Sequence, residues 1–292
     1  MLEAARKMPL DPAAATVNAL SSAGCLSGRG IPAATTRFPA VTAGWQRQGA
    51  LWSDLDALCR LLRIPPCADL AGGSPLFQHR HYRSGQRIHT IGQPFDTLFA
   101  VHSGFLKTMI IDDHGDGQVL SFPMKGDLFG VDGIHTRCHS TEAVALTDCD
   151  LVLVPFQELN ALVRTHAGME SLAFKLISRE LQREQTLIGM LGSLSAEAKV
   201  ARFLVSLSDR FIAMGYSGKV FNLRMSRNDI GSHLGLTLET VSRTLSAMHA
   251  FGLITVQRRS IVLLDVDALR SLHRLPVQRP ERLEKVLPPV AA

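Results

Sequence analysis

The chain has 292 residues, 31 Lys plus Arg against 26 Asp plus Glu (a formal charge of +5), with 46% apolar and 20% charged residues. That mix excludes wholesale disorder and a fibrous repeat, and the length suits about two domains. No apolar run approaches the roughly 20 residues of a membrane helix, and five cysteines are too sparse, and odd in number, for a disulfide scaffold.

The chain opens without a charged segment followed by an apolar one, so no secretion signal is expected and the reducing cytoplasm is the expected compartment. Residues 1–50 are rich in Ala, Gly, Ser and Thr and lack sustained periodicity. They read as a mobile extension reaching to about residue 72. Within it, residues 50–64 place Leu51, Leu55, Leu58 and Leu62 at helical spacing, an amphipathic helix that Pro65-Pro66 would stop.

From 76 to 156 the texture changes to short apolar or alternating runs punctuated by glycine (RIHTIG, TLFAVHSG, FLKTMIID, QVLSFPMKG, AVALTDCDLVLVPF). Strands of about 5–6 residues at roughly ten-residue spacing predict an antiparallel β-sandwich or barrel. Asp112, Asp113, His114, Gly115, Asp116 and Gly117 form the tip of a hairpin.

Residues 157–191 read as helical. Phe174, Ile177, Leu181, Glu184 and Ile188 recur at intervals of three and four, an a/d seam with one acid inside it. A dimer seam is favoured, and a packed intramolecular helix remains the alternative. Residues 197–212 then put Val200, Phe203, Leu204, Leu207 and Phe211 on one core-facing stripe.

The charge is not evenly spread. Residues 195–275 hold eleven basic and six acidic residues, while the rest of the chain holds 20 of each. A localised basic segment is an electrostatic footprint for a polyanion. Inside it, Ser226 and Asp229 have the Ser-x-x-Asp spacing of a helix start, opening a helix over 227–234 with Ile230 and Leu234 inward. Gly231 allows a close crossing. Gly235-Leu236-Thr237 reads as an αL glycine, a core plug and the cap of a second helix. That second helix turns Val241, Leu245 and Met248 inward and shows Glu239, Ser242, Arg243 and Ser246 outward.

Two helices joined by a short glycine turn make a helix-turn-helix, whose second helix enters the major groove N-terminus first. Arg243 has the fork for guanine O6/N7, Glu239 accepts from cytosine N4, and Ser242 donates or accepts. Thr237 and Ser246 flank them at the phosphate backbone. Residues 253–256 and 261–264 alternate around Gln257-Arg258-Arg259-Ser260, a wing placing Arg258 and Arg259 on phosphates. The tail from 277 carries prolines and reads as disordered.

On these residues the stretch 76–272 resembles the Crp–Fnr family of bacterial transcription regulators. DIGSHLGLTLETVSR is similar to the helix-turn-helix of its Fnr branch, whose recognition helix carries E-x-x-S-R, here Glu239, Ser242 and Arg243. The resemblance implies an α+β fold: a cyclic-nucleotide-binding-like jelly roll (the β-roll) over 73–160, a dimerisation helix over 161–192, a winged helix-turn-helix over 193–275 and a tail over 276–292. It also implies homodimers on palindromes like TTGAT-N4-ATCAA, and recruitment of RNA polymerase through Asp112, Asp113, Gly115 and Asp116. Glu184 sits where the branch has an acid that disfavours dimerisation.

The branch carries a four-cysteine iron–sulfur site. Here Cys25, Cys59 and Cys67 lack its close spacing, and its fourth cysteine falls at Val152, with Cys149 displaced by three. Four converging thiolates are needed, so no cluster is expected, and Cys138 and Cys149 read as buried thiols. Nucleotide-binding members use a Glu after Gly and an Arg-Ser pair on the phosphate. Asp127 and His139-Ser140 stand at those places, so cyclic AMP is not expected either. His79, His81, His89, His102 and His139 make haem a third option, and it too is not expected. No metal ligand set is assigned. The competing reading is a small-molecule-binding signalling module with a vestigial DNA-binding domain, against which the intact Glu239/Ser242/Arg243 face speaks. No G-x-x-x-x-G-K-[ST], H-E-x-x-H, G-x-S-x-G or C-x-x-C occurs, so no enzyme is expected.

Overall fold

The computed structural model describes residues 51–65, 75–111, 115, 117–165 and 169–275. The expected extension 1–50, the tail 276–292, Cys25, Cys67, and Asp112, Asp113, His114 and Asp116 of the hairpin tip lie outside them. The contacts divide the chain into two units, 1–111 with 122–173, and 112–121 with 174–292.

In the first unit, the expected helix over 50–64 begins later than its apolar spacing predicts. Trp52–Asp54 form strand β1, and only Leu55–Leu62 form helix α1. The Asp54 carboxylate accepts from the Ala57 N–H and fixes the helix start, which leaves the residues before it free to extend. Leu51 is therefore 61% exposed rather than inward, while Leu55, Leu58 and Leu62 are buried. The helix stops at Arg63, in the left-handed region at φ 55°, before either proline is reached.

The glycine-punctuated region folds as expected into antiparallel strands: β2 (Leu76–Tyr82), β3 (Arg87–His89), β4 (Thr97–Ser103), β5 (Leu106–Ile111), β6 (Gly117–Ser121), β7 (Leu128–Phe129), β8 (Glu142–Ala145) and β9 (Cys149–Pro155). One sheet runs β1–β2–β9–β4–β7, and β8 pairs with β3 and β5 in another. The β6 strand groups with the second unit. Tyr82, Phe99, Leu106, Phe129 and Leu151 form the core of the roll. Gly104 closes the turn from β4 to β5 at φ +93°, where a Cβ would stand 2.5 Å from the Asp148 carbonyl oxygen; the turn leaves room for glycine alone. The short helix α2 (Gly133–Thr136) and helix α3 (Phe156–Thr165) complete this unit's elements.

The stretch expected to be helical over 157–191 is α3 followed by α4 (Met169–Ser193). In the second unit α5 (Ala196–Ala213) starts at Ser195, whose hydroxyl accepts from the Ala198 N–H, and buries Val200, Phe203, Leu204 and Leu207. Phe211 of the same stripe is only half-buried. Strand β10 (Val220–Asn222), helices α6 (Arg227–Leu234) and α7 (Leu238–Ala250), strands β11 (Ile254–Gln257) and β12 (Ser260–Leu263), and helix α8 (Val266–Ser271) follow. The sheet order is β10–β12–β11. No helix among the described residues is long and apolar enough to cross a membrane.

Candidate nucleic-acid interface

Local chemistry positions α7, the helix expected to carry the base-reading residues. At the start of α6 the Ser226 hydroxyl accepts from the Asp229 N–H at 3.0 Å, and the Asp229 carboxylate accepts from the Ser226 N–H at 2.9 Å. This reciprocal box satisfies two amides that helix geometry leaves open. Gly235 ends α6 in the left-handed region at φ 61°. The Thr237 hydroxyl then caps α7 by accepting from the Thr240 N–H at 3.1 Å. Gly231 permits the tight turn, since a Cβ on it would lie 2.6 Å from the Leu236 carbonyl oxygen. Leu236 itself is half-buried, a partial plug rather than the full one expected.

On α7, Val241, Leu245 and Met248 are at most 1% exposed. Glu239, Arg243 and Ser246 are exposed and Ser242 is half-buried. Positions i, i+3, i+4 and i+7 share one helix face, so the four polar side chains point away from the core together. The Arg243 guanidinium has only a long 3.5 Å contact, to the Thr240 hydroxyl. Among the described residues no carboxylate pairs with Arg243, Arg258 or Arg259. Three cations without an internal partner are available to a polyanion.

The expected wing is β11 and β12, with Gln257 paired to Ser260 and only Arg258 and Arg259 between them. Arg258 adopts φ 55°, a conformation unfavourable for a side chain with a Cβ. Its carbonyl accepts from the Arg227 guanidinium of α6 at 3.4 Å. Strand β10 pairs through Val220, Phe221 and Asn222 with β12 and backs the wing.

The seam residues lie together on α4. Phe174, Ile177, Leu181 and Ile188 are 63%, 45%, 52% and 68% exposed, and Glu184 is exposed among them. Arg183 donates to Glu180 at 3.2 Å.

The five β-roll histidines separate into three settings. His81 is exposed and bonded to Asp150 at 2.8 Å, which holds the Asp150 carboxyl below its usual range. His79 and His102 meet edge to face at 5.0 Å, and burial pulls His79 below its ordinary value. His89 and His139 are buried and stack at 3.9 Å beside Asp132. Burial, then the neighbouring His139, lowers His89 to about 4. Burial raises Asp132, but hydrogen bonding and charge from His139 and the Thr141 hydroxyl outweigh it and hold the carboxyl at about 2. Sequence reading named both histidines but did not join them to Asp132.

Cys149 is fully buried, and its Sγ lies 3.0 Å from the Thr147 and 3.3 Å from the Phe105 carbonyl oxygens. Burial pushes its thiol up. Cys59 is buried in α1. Val152, at the position of the expected fourth cysteine, is fully buried in β9. Cys138 is half-buried and disulfide-bonded, which corrects the expectation of a buried free thiol there. Asp127 is buried, and its carboxylate accepts from the Met124 N–H at 2.9 Å.

Comparison with known proteins agrees with this geometry. Residues 198–272 match the Crp-like helix-turn-helix domain, and residues 79–166 match the cyclic nucleotide-binding domain. The transcriptional regulatory protein btr of Bordetella pertussis is 36% identical over 64% of this chain and 78% of its own length. The transcriptional activator protein anr of Pseudomonas aeruginosa is 37% identical over 66% and 79%. The solved structure of FixK2 from Bradyrhizobium japonicum superposes with a TM-score of 0.63 and 28% identity, covering 68% of this chain and 98% of that one.

Proposed function

We propose a mode of action for this chain, which belongs to the Crp–Fnr family of DNA-binding transcription regulators: it binds a palindromic Fnr-like site as a homodimer and contacts RNA polymerase in the cytoplasm. The observation that carries the DNA reading is the face of α7. Glu239, Ser242 and Arg243 project from a helix whose other side is buried through Val241, Leu245 and Met248. Arg243 addresses guanine and Glu239 cytosine. Thr237, Ser246, Arg258 and Arg259 hold the phosphates and set the register.

Four large apolar side chains exposed on one stripe of α4 support the dimer, because such a stripe needs a partner to leave water. A second copy of the same helix offers the matching a/d spacing. Asp112, Asp113, Gly115 and Asp116 are assigned to the polymerase through the resemblance of the hairpin tip. The reading includes no iron–sulfur cluster, haem or cyclic AMP. In its support, the Cys149 thiol is enclosed between two carbonyls and Val152 replaces a thiolate.

Fluorescence anisotropy with a duplex carrying TTGAT-N4-ATCAA tests the reading. Saturable binding by one dimer, lost on scrambling both half-sites, is the expected result. Equal affinity for the scrambled duplex would overturn the sequence-specific assignment. A visible absorption band from iron–sulfur or haem in anaerobically purified protein would overturn the cofactor assignment.

A further inference from the structure

The trio His89, Asp132 and His139, two buried rings and a half-buried carboxylate, is not used by the DNA reading. It comes from three places in the roll: His89 ends β3, Asp132 precedes α2, and His139 follows α2. One donor atom from each lies within 4.8 Å of the other two. His89 is 1% and His139 3% exposed, while the Asp132 side chain is 18% exposed.

Two of the donors, His89 and Asp132, are oriented by further hydrogen bonds. The His89 Nδ1–H donates to the Thr141 carbonyl at 3.0 Å. Its Nε2 therefore carries the lone pair, and that atom is buried with no hydrogen-bond partner. A buried ring nitrogen with nothing to accept is costly and calls for an occupant. Asp132 Oδ2 accepts from the N–H groups of Ser140 at 2.8 Å and Thr141 at 2.9 Å and from the Thr141 hydroxyl at 3.0 Å, with the Ser140 hydroxyl at 3.3 Å. These bonds fix the carboxylate and leave Oδ1 facing His139 Nδ1 at 3.4 Å. That separation is long for a hydrogen bond, but tetrahedral ligands at about 2.0–2.1 Å from one ion stand about 3.3–3.4 Å apart. Around the trio, Phe99 and Phe129 stack on His89, and Phe95 meets His139 edge-on. The Thr141 carbonyl behind His89, the Ser140 and Thr141 donors behind Asp132 and the apolar wall make the kind of outer shell that a metal site uses.

We propose that His89 Nε2, Asp132 Oδ1 and His139 Nδ1 bind one divalent transition-metal ion of the Fe2+–Zn2+ series inside the β-roll, the His139 ring turning out of its 3.9 Å stack on His89 so that both in-plane lone pairs meet the ion. Two imidazoles and one carboxylate match the borderline preference of these ions, whereas Mg2+ and Ca2+ prefer all-oxygen cages. Three protein ligands leave a coordination position for water or a small ligand. The site is separate from the polar face of α7, so its failure would leave the DNA reading standing.

The test is a titration of chelator-stripped, full-length protein with Co2+, followed by its visible ligand-field absorption. Wild type is expected to show one equivalent of bound Co2+ per chain, displaced by Zn2+, and a melting temperature raised by Zn2+. His89→Phe keeps a ring against Phe99 and Phe129 but removes the donor. Asp132→Asn keeps the bonds to Ser140 and Thr141 but removes the charge. Affinity at least about 100-fold weaker in both variants is expected, with circular dichroism and affinity for the duplex unchanged. Silent wild-type protein, or a wild type and variants that bind Co2+ alike, would overturn the site. If His89→Phe fails to fold, Asp132→Asn alone decides between these outcomes.

Discussion

Arg243 and Arg258 are both exposed and have no acidic partner among the described residues, yet their settings give them different work. Under the proposed function, Arg243 sits on the helix whose N-terminal turn would enter the groove, where it would read a base. Arg243→Ala is expected to cost about 1–3 kcal/mol per half-site and to relax the preference at one base pair only. Arg258 sits at a two-residue turn in a left-handed conformation, φ 55°, where glycine is the easier occupant. Arg258→Gly is expected to hold or raise stability while weakening every duplex alike and flattening the salt dependence. A salt series on matched and mismatched duplexes separates the two. If Arg243→Ala also weakened all sequences equally, the base-reading role would be wrong. Gly231→Ala tests the turn itself. Its new Cβ would meet the Leu236 carbonyl oxygen at 2.6 Å, and overpacking of this kind costs about 1–3 kcal/mol. A urea midpoint equal to wild type would show that the turn has slack.

At the scale of elements, what sequence reading could see depended on how local the cause was. Helix α6 matches its expected span, and α7 starts after its expected Thr237 cap, because cap, αL glycine and apolar spacing all lie within about two turns of each other. Strand β1 was invisible for the opposite reason. Trp52, Ser53 and Asp54 extend only because they pair with Gln78, Phe77 and Leu76, across an intervening helix. Strands β7 and β10 are two and three residues long, too short to show a period of two. The trio His89, Asp132 and His139 needed the pairing of β3 with β8 to become one site. The intervals of three and four made α4 legible as a helix with an apolar stripe, which is exposed and interrupted by Glu184. Two copies would bring two carboxylates together in a dry interface, where like charges repel and lose hydration. Glu184→Ala is therefore expected to tighten the dimer, read as a lower dissociation constant in sedimentation equilibrium. An unchanged constant would mean that Glu184 swings out to solvent or to Arg179 or Arg183.

For the whole molecule, the charge and the seam make one joint demand. All of the net +5 lies in residues 195–275, so a dimer carries two cationic wing-and-helix modules and no compensating excess elsewhere. Each module alone reads only a few base pairs, and its affinity would be dominated by sequence-independent phosphate contacts. Joining two through the exposed stripe of α4 makes the second contact intramolecular and raises its effective concentration. The gain holds only where both half-sites face the same side of the duplex, one helical turn of about 34 Å apart. Inserting five base pairs between the half-sites turns one of them roughly half a turn away from its module, given about 10–10.5 base pairs per turn. Affinity for that duplex is expected to fall to that of a single half-site, and inserting ten is expected to recover less than the original value because the modules must also separate. A monomerising change, Phe174→Asp with Ile188→Asp, is expected to make the protein indifferent to spacing. Spacing sensitivity that survives in that double variant would place the dimer contact elsewhere than α4.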